Sequence, residues 1–432
     1  MANSFNLGNG NWAQKTEKLL AYNAENNNYK PLPFDFDRAS TATRVNRDGL
    51  IETVGIDEPR IDFLNNSKGH LLLEPQSTNT ATYSNDFTQG DIFNQSASPS
   101  LSSSVLTQNQ EKAPDGTNNG WLLKDNNDGG TSVAGLNYFS TQVNSDDFNT
   151  ISIFAKKALS NDFLILESAG YDVSATGRSY FNISNGSLGD ISTNHTSKIE
   201  DYGNGWYRCS ITFQTTTDLL GAIYVRLASS NGLVDITKDG TNGVYIFGLQ
   251  CEVDASRDFA TSYIPTSGQS GGVTRSAETL VQDNMPTSLF NRQGMAFYLE
   301  LEALANINEV RSITISDGSS SDRFVFQLNS SNEFSVFTIS SLGTTGFSIA
   351  TLGVDITQTN KVAASFDGSN GYLYVNGTQI GVDAISFVIG DDLSKISFGN
   401  HSLTNNPFYG KITDYRIYNT ALTPAELTAL TS

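Results

Sequence analysis

Charge is scarce in this sequence. Only 16% of its 432 residues are Asp, Glu, Lys or Arg, and 26 basic residues face 45 acidic ones, a formal net charge of −19. Nucleic-acid binding needs Lys and Arg to displace counterions from phosphates, so this balance argues against that partner. It argues equally against an anionic membrane surface. Apolar runs are short, and none reaches the roughly 18 residues of a membrane span, so no membrane insertion is expected. The opening MANSFNLGNG has neither a basic stretch nor an apolar core, so no signal peptide is expected.

Cysteine and histidine are scarce too. Cys209 and Cys251 do not make a disulfide framework. Both fall on expected strands of one domain, where a bond is geometrically possible, but a reducing compartment would keep them as buried thiols. His70, His195 and His401 lie far apart, so neither a zinc site nor a Ser-His-Asp triad is expected within one domain. Glycoside hydrolysis needs two carboxylates facing across a cleft, and no acidic pair sits in a recognisable catalytic word. The glycines fall between strands rather than in a phosphate loop. The chain is expected not to be an enzyme.

What is abundant is polar but uncharged. Asn, Ser, Thr and 37 glycines accompany 10% aromatics. A disordered chain would have more charge and fewer aromatics; this mixture fits all-β domains with many turns. The length suggests about three domains of roughly 150 residues. We expect a small hairpin-rich block over 1–80, an antiparallel β-sandwich of the jelly-roll type over 81–266, a Gly/Ser-rich linker over 267–290, and a second sandwich over 291–432. Within the first block, Trp12 to Ala24 suggests a short helix, ended by Pro31-Leu32-Pro33. Two hairpin signals follow. Thr43–Val45 and Leu50–Val54 flank Asn46-Arg47-Asp48-Gly49; Ile61–Leu64 and His70–Glu74 flank Asn65–Gly69. So little apolar surface suggests that the block leans on a neighbour or a partner chain.

In 81–266, Trp206 to Phe213 alternates with period two, the mark of a half-buried strand. In 291–432, Asp367-Gly368 and Asn376-Gly377 read as hairpin turns. Thr423-Pro424-Ala425-Glu426 reads as a capping box with Pro at the first helical position, opening a helix through Leu430. The segment VTRSAETL beyond the Gly/Ser run suits a strand added to either neighbour.

These words carry resemblances. RASTATRVN with DGLIE, then PRIDF, GHLLLEPQSTN and YSNDF, resemble the opening segment of tail-fibre and other virion surface proteins of bacteriophages. YSNDF, YGNGWYRCSITF and YIFGLQCEVDASRDFATSYIPT resemble carbohydrate-binding modules of the jelly-roll type. KVAASFDGSNGYLYVNGTQIG, ISFGN and FYGKITDYRIYNTALTPAEL resemble laminin-G-like and concanavalin-A-like lectin sandwiches. Together they imply a virion surface protein such as a tail or head fibre, assembled in the bacterial cytoplasm. Its partners would be portal, tail or capsid proteins, host glycans and further copies of itself, as in trimeric fibres. A purely structural decoration protein and a polysaccharide-degrading spike are the alternatives. The acidic charge suits solubility, or repulsion among copies on a crowded particle.

Sugars are held by aromatic faces on the apolar side of a pyranose together with amides and carboxylates on its hydroxyls. The candidates are Tyr171, Arg178 and Tyr180 in the first sandwich, and Asp322, Arg323 and Asn400 at strand ends in the second. Calcium is the one cofactor the residues suggest, through the loop acids Asp317, Asp322, Asp391 and Asp392, because hard oxygen ligands suit it. Attachment to the particle is expected through Trp12, Arg44, Arg60 and Leu72.

Overall fold

The computed structural model describes residues 5–15, 18–23, 30–88, 100–143, 146–171, 176–216, 219–340, 345–351, 353–385, 390, 392–403 and 405–432. The protein is all-β, as its composition implies. Its two compact units are not the expected segments. One comprises residues 1–41, 54–75 and 276–432; the other comprises 42–53 and 76–275.

In the first unit the N-terminal strands are structural members rather than a separate block. Met295–Ala303 lies between Gly410–Tyr418 and Asn360–Phe366, and the ladder runs on through Asn370–Val375 to Thr378–Ala384. A second run joins Thr345–Ala350, Phe334–Ile339, Arg323–Leu328, Arg311–Ser316, Lys395–Ser397 and Thr279–Gln282. The strands Lys30–Asp37, Lys18–Asn23 and Phe5–Gly8 connect the two runs. Lys30–Asp37 pairs with Thr279–Gln282, and Phe5–Gly8 pairs with Gly410–Tyr418, with Phe5 opposite Ile417. The result is one continuous ladder wrapped around a single core. Phe5, Leu7, Leu19, Ala21, Phe34 and Phe36 lie inside it. Phe5 meets Tyr415 edge-on at 5.4 Å, and Phe34 meets Phe398 at 6.1 Å.

The expected helix over Trp12 to Ala24 is instead the strand pair Ala13–Lys15 and Lys18–Asn23; Ala24 lies outside the described residues. Tertiary pairing overrides local preference there, because Leu19 and Ala21 alternate into the core. The second hairpin forms as expected, Ile61–Asp62 against His70–Leu73, with Gly69 at φ +73°. It adds to the edge of Gly410–Tyr418. The helix Pro424–Thr431 carries the expected capping box, and Asn376-Gly377 turns with both residues at positive φ.

The second unit is a sandwich of two six-stranded antiparallel sheets. One runs Ser100–Ser102, Gly135–Val143, Leu219–Ala228, Phe163–Ala169, Gly177–Asn182, Ser187–Ile191. The other runs Ser104–Glu111, Gly120–Asp125, Gly243–Asp254, Phe148–Lys157, Trp206–Gln214, Thr196–Asp201. Cys209 and Cys251 are buried and unbonded. They lie opposite Ile153 and Ile151 on the two strands that flank Phe148–Lys157. An intervening strand separates them by about 10 Å, beyond the reach of a disulfide. The first hairpin, Ala42–Val45 with Ile51–Val54, gives residues 42–53 to this unit, where Ile51 N–H donates to the Pro114 carbonyl at 2.9 Å. The expected linker supplies one strand to each unit: Val273–Arg275 pairs with Ser77–Asn79, and Thr279–Gln282 with Lys30–Asp37.

Four crossings carry the chain between units, and a buried charge network in the first unit lies beside each in sequence. Arg38 precedes the first crossing, Arg60 follows the second, Glu74 precedes the third and Glu278 follows the fourth. Arg38 Nη1 donates to Glu278 Oε1 at 2.9 Å, Arg60 Nε donates to the same oxygen at 2.7 Å, and Arg60 Nη2 reaches Glu74 at 2.8 Å. Two guanidinium groups and two carboxylates neutralise one another out of contact with water.

Candidate functional site

One end of the first unit gathers charged loops. Arg311–Ser316 and Arg323–Leu328 form a hairpin whose last pair is Ser316 with Arg323, leaving the loop Asp317–Asp322. The Asp317 carboxylate accepts from Ser319 N–H at 2.7 Å and from its hydroxyl at 2.9 Å, which folds the loop back on itself. Lys395–Ser397 pairs with Arg311–Ser316 on the other side, so the residues preceding it cross the same end. There the carboxylate oxygens of Asp317, Asp322 and Asp392 lie within 4.8 Å of one another. Gly390 N–H donates to Asp322 Oδ1 at 3.2 Å; a Cβ at Gly390 would stand 2.6 Å from Asp392 Oδ1, so glycine lets the backbone approach the acids.

Three converging hard-oxygen donors at this spacing fit a calcium ion, whose ligands lie roughly 2.3–2.6 Å from the metal. Three of the four expected acids thus come together. The fourth, Asp391, lies outside the described residues.

Beside the acids, Arg323 Nη1 stands 3.2 Å from His401 Nδ1. Burial, then Arg323 and Lys395, push the His401 imidazole below its ordinary range, outweighing the opposite pull of Asp317. His401 is therefore neutral at pH 7 and free of charge conflict with the guanidinium. Asn400, next along the chain, accepts from Ser402 N–H at 3.2 Å and helps to shape the same loop.

The alternation of Phe334–Ile339 completes the surface. Phe334 and Val336 point into the core, which turns Phe337 and Ile339 outward, half-buried, on the face shared with Arg323 and Gln327. Phe337, Gln327 and His401 were not among the expected residues. A bulky aromatic at the outward phase of an alternating strand is the signal that could have found Phe337.

The other expected residues are placed differently. Tyr171 is 8% exposed, its ring 5.2 Å from Phe213, and burial pushes its phenol upward. Tyr180 is buried against Ile165 and Ala228. Arg178 pairs with Glu167 at 3.0 Å, which also binds Arg226. No shared ligand face results: Tyr171 belongs to the core, Tyr180 packs in a small cluster, and Arg178 is tied to a carboxylate. Arg60 and Leu72 are buried, which rules them out as docking contacts. Trp12 donates from Nε1 to the Lys68 carbonyl at 3.0 Å, and Arg44 pairs with Glu52 at 2.8 Å.

The first unit thus contains an antiparallel sandwich with a charged, loop-rich rim. Residues 286–428 match a laminin-G family model described as the concanavalin A-like lectin/glucanases superfamily. No curated protein matches the chain significantly. Among solved structures, the CBM40 domain of the Ruminococcus gnavus IT-sialidase bound to α2,3-sialyllactose aligns at 15% identity and a TM-score of 0.30, covering 33% of this chain and 84% of that one. Domain 4 of AbnA, a GH43 extracellular arabinanase from Geobacillus stearothermophilus in complex with arabinotriose, aligns at 17% identity and a TM-score of 0.30, covering 36% and 73%. The NanB sialidase of Streptococcus pneumoniae aligns at 17% identity and a TM-score of 0.30, covering 35% and 26%.

Proposed function

We propose that this chain is a non-enzymatic glycan-binding protein of a bacteriophage virion surface, in a tail fibre, head fibre or similar appendage. The observation that carries glycan binding is the convergence of Asp317, Asp322 and Asp392 beside Arg323 and His401, in residues that match a lectin superfamily. Calcium held by the three carboxylates would supply a cationic centre for paired sugar hydroxyls. Arg323 donates to a hydroxyl oxygen, and neutral His401 exchanges donor and acceptor roles with its tautomer. Phe337 and Ile339 offer an apolar patch for the hydrophobic face of a pyranose.

The virion setting is supported by the resemblance of the Phe34–Phe87 words, and the net charge of −19 suits many copies side by side. The partners proposed are neighbouring portal, tail or capsid proteins, host surface glycans and further copies of the chain, assembled in the host cytoplasm. Attachment through the 1–80 block would use its outward surfaces, since Phe5, Leu7, Leu19, Phe34 and Leu71 are consumed by the first unit's core.

The test is a host-polysaccharide array probed with the full chain in calcium and in EDTA, with Asp392→Asn as an exposed variant. We expect binding in calcium, loss in EDTA and at least a tenfold weakening in the variant. No binding to any polysaccharide would sink the lectin reading. Reducing-end release from a bound polysaccharide would replace it with the degrading spike.

A further inference from the structure

The second unit carries a pocket of about 430 Å³, within the size range of small-molecule sites. It lies where several strand ends of one sheet meet the inserted hairpin. Ser104–Glu111 turns into Gly120–Asp125, and near the end of Phe148–Lys157 Lys156 stands opposite Trp206, where Trp206–Gln214 begins. The hairpin turn, Asn46 to Leu50, forms the outer wall. Asn46 Oδ1 accepts from the backbone N–H groups of Asp48 and Leu50, both at 3.0 Å, which fixes the turn. Leu50 packs so closely over Gly116 that a Cβ there would stand 3.1 Å from its Cδ1.

The floor is equally fixed. Trp206 is 1% exposed, and its Nε1 donates to the Lys112 carbonyl at 2.9 Å. Tyr202 stands edge-on to Phe154 at 4.8 Å. Between them Gly203, Asn204 and Gly205 all hold positive φ, making a tight turn that presents the exposed Asn204 beside the pocket. On the side wall Lys156 Nζ and Glu111 Oε1 are 3.4 Å apart, and both side chains are partly open to water.

We propose that this pocket binds a terminal, uncharged pyranose residue of a glycan, as a second sugar site independent of the calcium-type rim in the first unit. The chemistry fits on three counts. A pyranose has one apolar face, and Tyr202, Leu50 and Pro114 give the pocket apolar lining to meet it. Neighbouring sugar hydroxyls each donate and accept; an ammonium beside a carboxylate offers one partner of each kind. Lys156 already faces Glu111, which offsets its charge, and the other lining lysine, Lys112, is exposed to water that screens its ammonium, so the pocket favours a neutral sugar over an acidic one. The pocket is walled by the segment that distinguishes this chain from a plain sandwich, the inserted residues 42–53.

The test uses the full chain with ¹⁵N-labelled tryptophan. It has three indoles, Trp12, Trp121 and Trp206, assigned through Trp→Phe variants. Methyl glycosides of glucose, galactose, mannose and N-acetylglucosamine are titrated in EDTA, with methyl glucuronide as the acidic arm. A neutral glycoside should move the Trp206 indole resonance while leaving those of Trp12 and Trp121 in place. Lys156→Met, at a partly open position, and Asn204→Ala, at an exposed one, should weaken that response about tenfold or more, because each removes a direct hydrogen-bond partner. Asp392→Asn should leave it unchanged, which separates failure here from failure of the rim site. No movement of Trp206 with any glycoside, an equal response in Lys156→Met and Asn204→Ala, or tighter binding of the glucuronide would each overturn the proposal.

Discussion

Replacing Glu278 by Gln should destabilise the first unit by about 4 kcal/mol. Glu278 is fully buried and accepts from Arg38 Nη1 at 2.9 Å, Arg60 Nε at 2.7 Å, Arg60 Nη2, and the backbone N–H of Glu74 at 2.8 Å. Gln keeps the shape but removes the charge and turns one acceptor into a donor aimed at guanidinium. Arg60 retains Glu74 at 2.8 Å, whereas Arg38 keeps only backbone carbonyls such as that of Glu58 as direct acceptors. Burial already pulls Arg38 below its ordinary range despite the opposing field of Glu278, so taking that field away leaves a poorly compensated buried cation. Breaking a buried pair from one side costs roughly 3–5 kcal/mol. Urea unfolding followed by fluorescence reads this out unit by unit: Trp12 reports the first unit, and Trp121 and Trp206 report the second. Only the Trp12 transition should move. A loss under about 1 kcal/mol would show that the network is solvated or dispensable, and the reasoning would fail.

Three further outcomes are expected. A fragment of residues 276–432 should lack near-UV circular dichroism and bind hydrophobic dye. It omits the buried Phe5, Leu7, Leu19, Phe34 and Phe36, on the order of 10 kcal/mol of burial, and a cooperatively folded fragment would refute the woven ladder. Stability of the second unit should fall as pH drops from 6.5. Burial lowers the His195 imidazole to about 4, so the unfolded chain takes up a proton that the folded one refuses; about 3 kcal/mol is lost by pH 4, and His195→Asn should flatten the profile of thermal midpoint against pH. Gly377→Ala should cost about 1 kcal/mol in urea unfolding, because Gly377 holds φ +79° in a two-residue turn and a Cβ would stand 3.1 Å from Ser432 Oγ; an unchanged midpoint would contradict that turn geometry.

Local features were legible in the sequence because local chemistry sets them. The Asn376-Gly377 turn, the Thr423 cap and the alternation of Trp206 to Phe213 each need only neighbouring residues to be recognised. The weave was not legible. Lys18–Asn23 reads as a helix until Phe34 on the next strand and Phe398 near the far end of the chain supply its core. The same holds for Arg60, whose partners Glu74 and Glu278 come from distant segments. For the rim, loop acids could be picked out as candidate calcium ligands by type, but their convergence depends on Lys395–Ser397 pairing with Arg311–Ser316. Tyr171 and Tyr180 failed as platforms for a related reason. Aromatic composition does not say which face of a strand is covered, and both rings are buried.

The weave also orders the assembly of the first unit. Phe5–Gly8, Lys18–Asn23 and Lys30–Asp37 can pair with one another early, since the strands are close in sequence. Their apolar side chains stay uncovered until Thr279–Gln282 and Gly410–Tyr418 exist, because those strands close the ladder on either side. Such non-local closure is slow, and it leaves apolar surface open in the meantime. The second unit needs nothing beyond residue 275, so it can form while the first one waits. Before Glu278 joins, Arg38, Arg60 and Glu74 hold two positive charges against one negative. Glu278, three residues past the last crossing, restores neutrality when the chain re-enters the first unit. The N-terminal strands are therefore completed only at closure, and the charge that balances their arginines arrives with the strand that begins to cover their core.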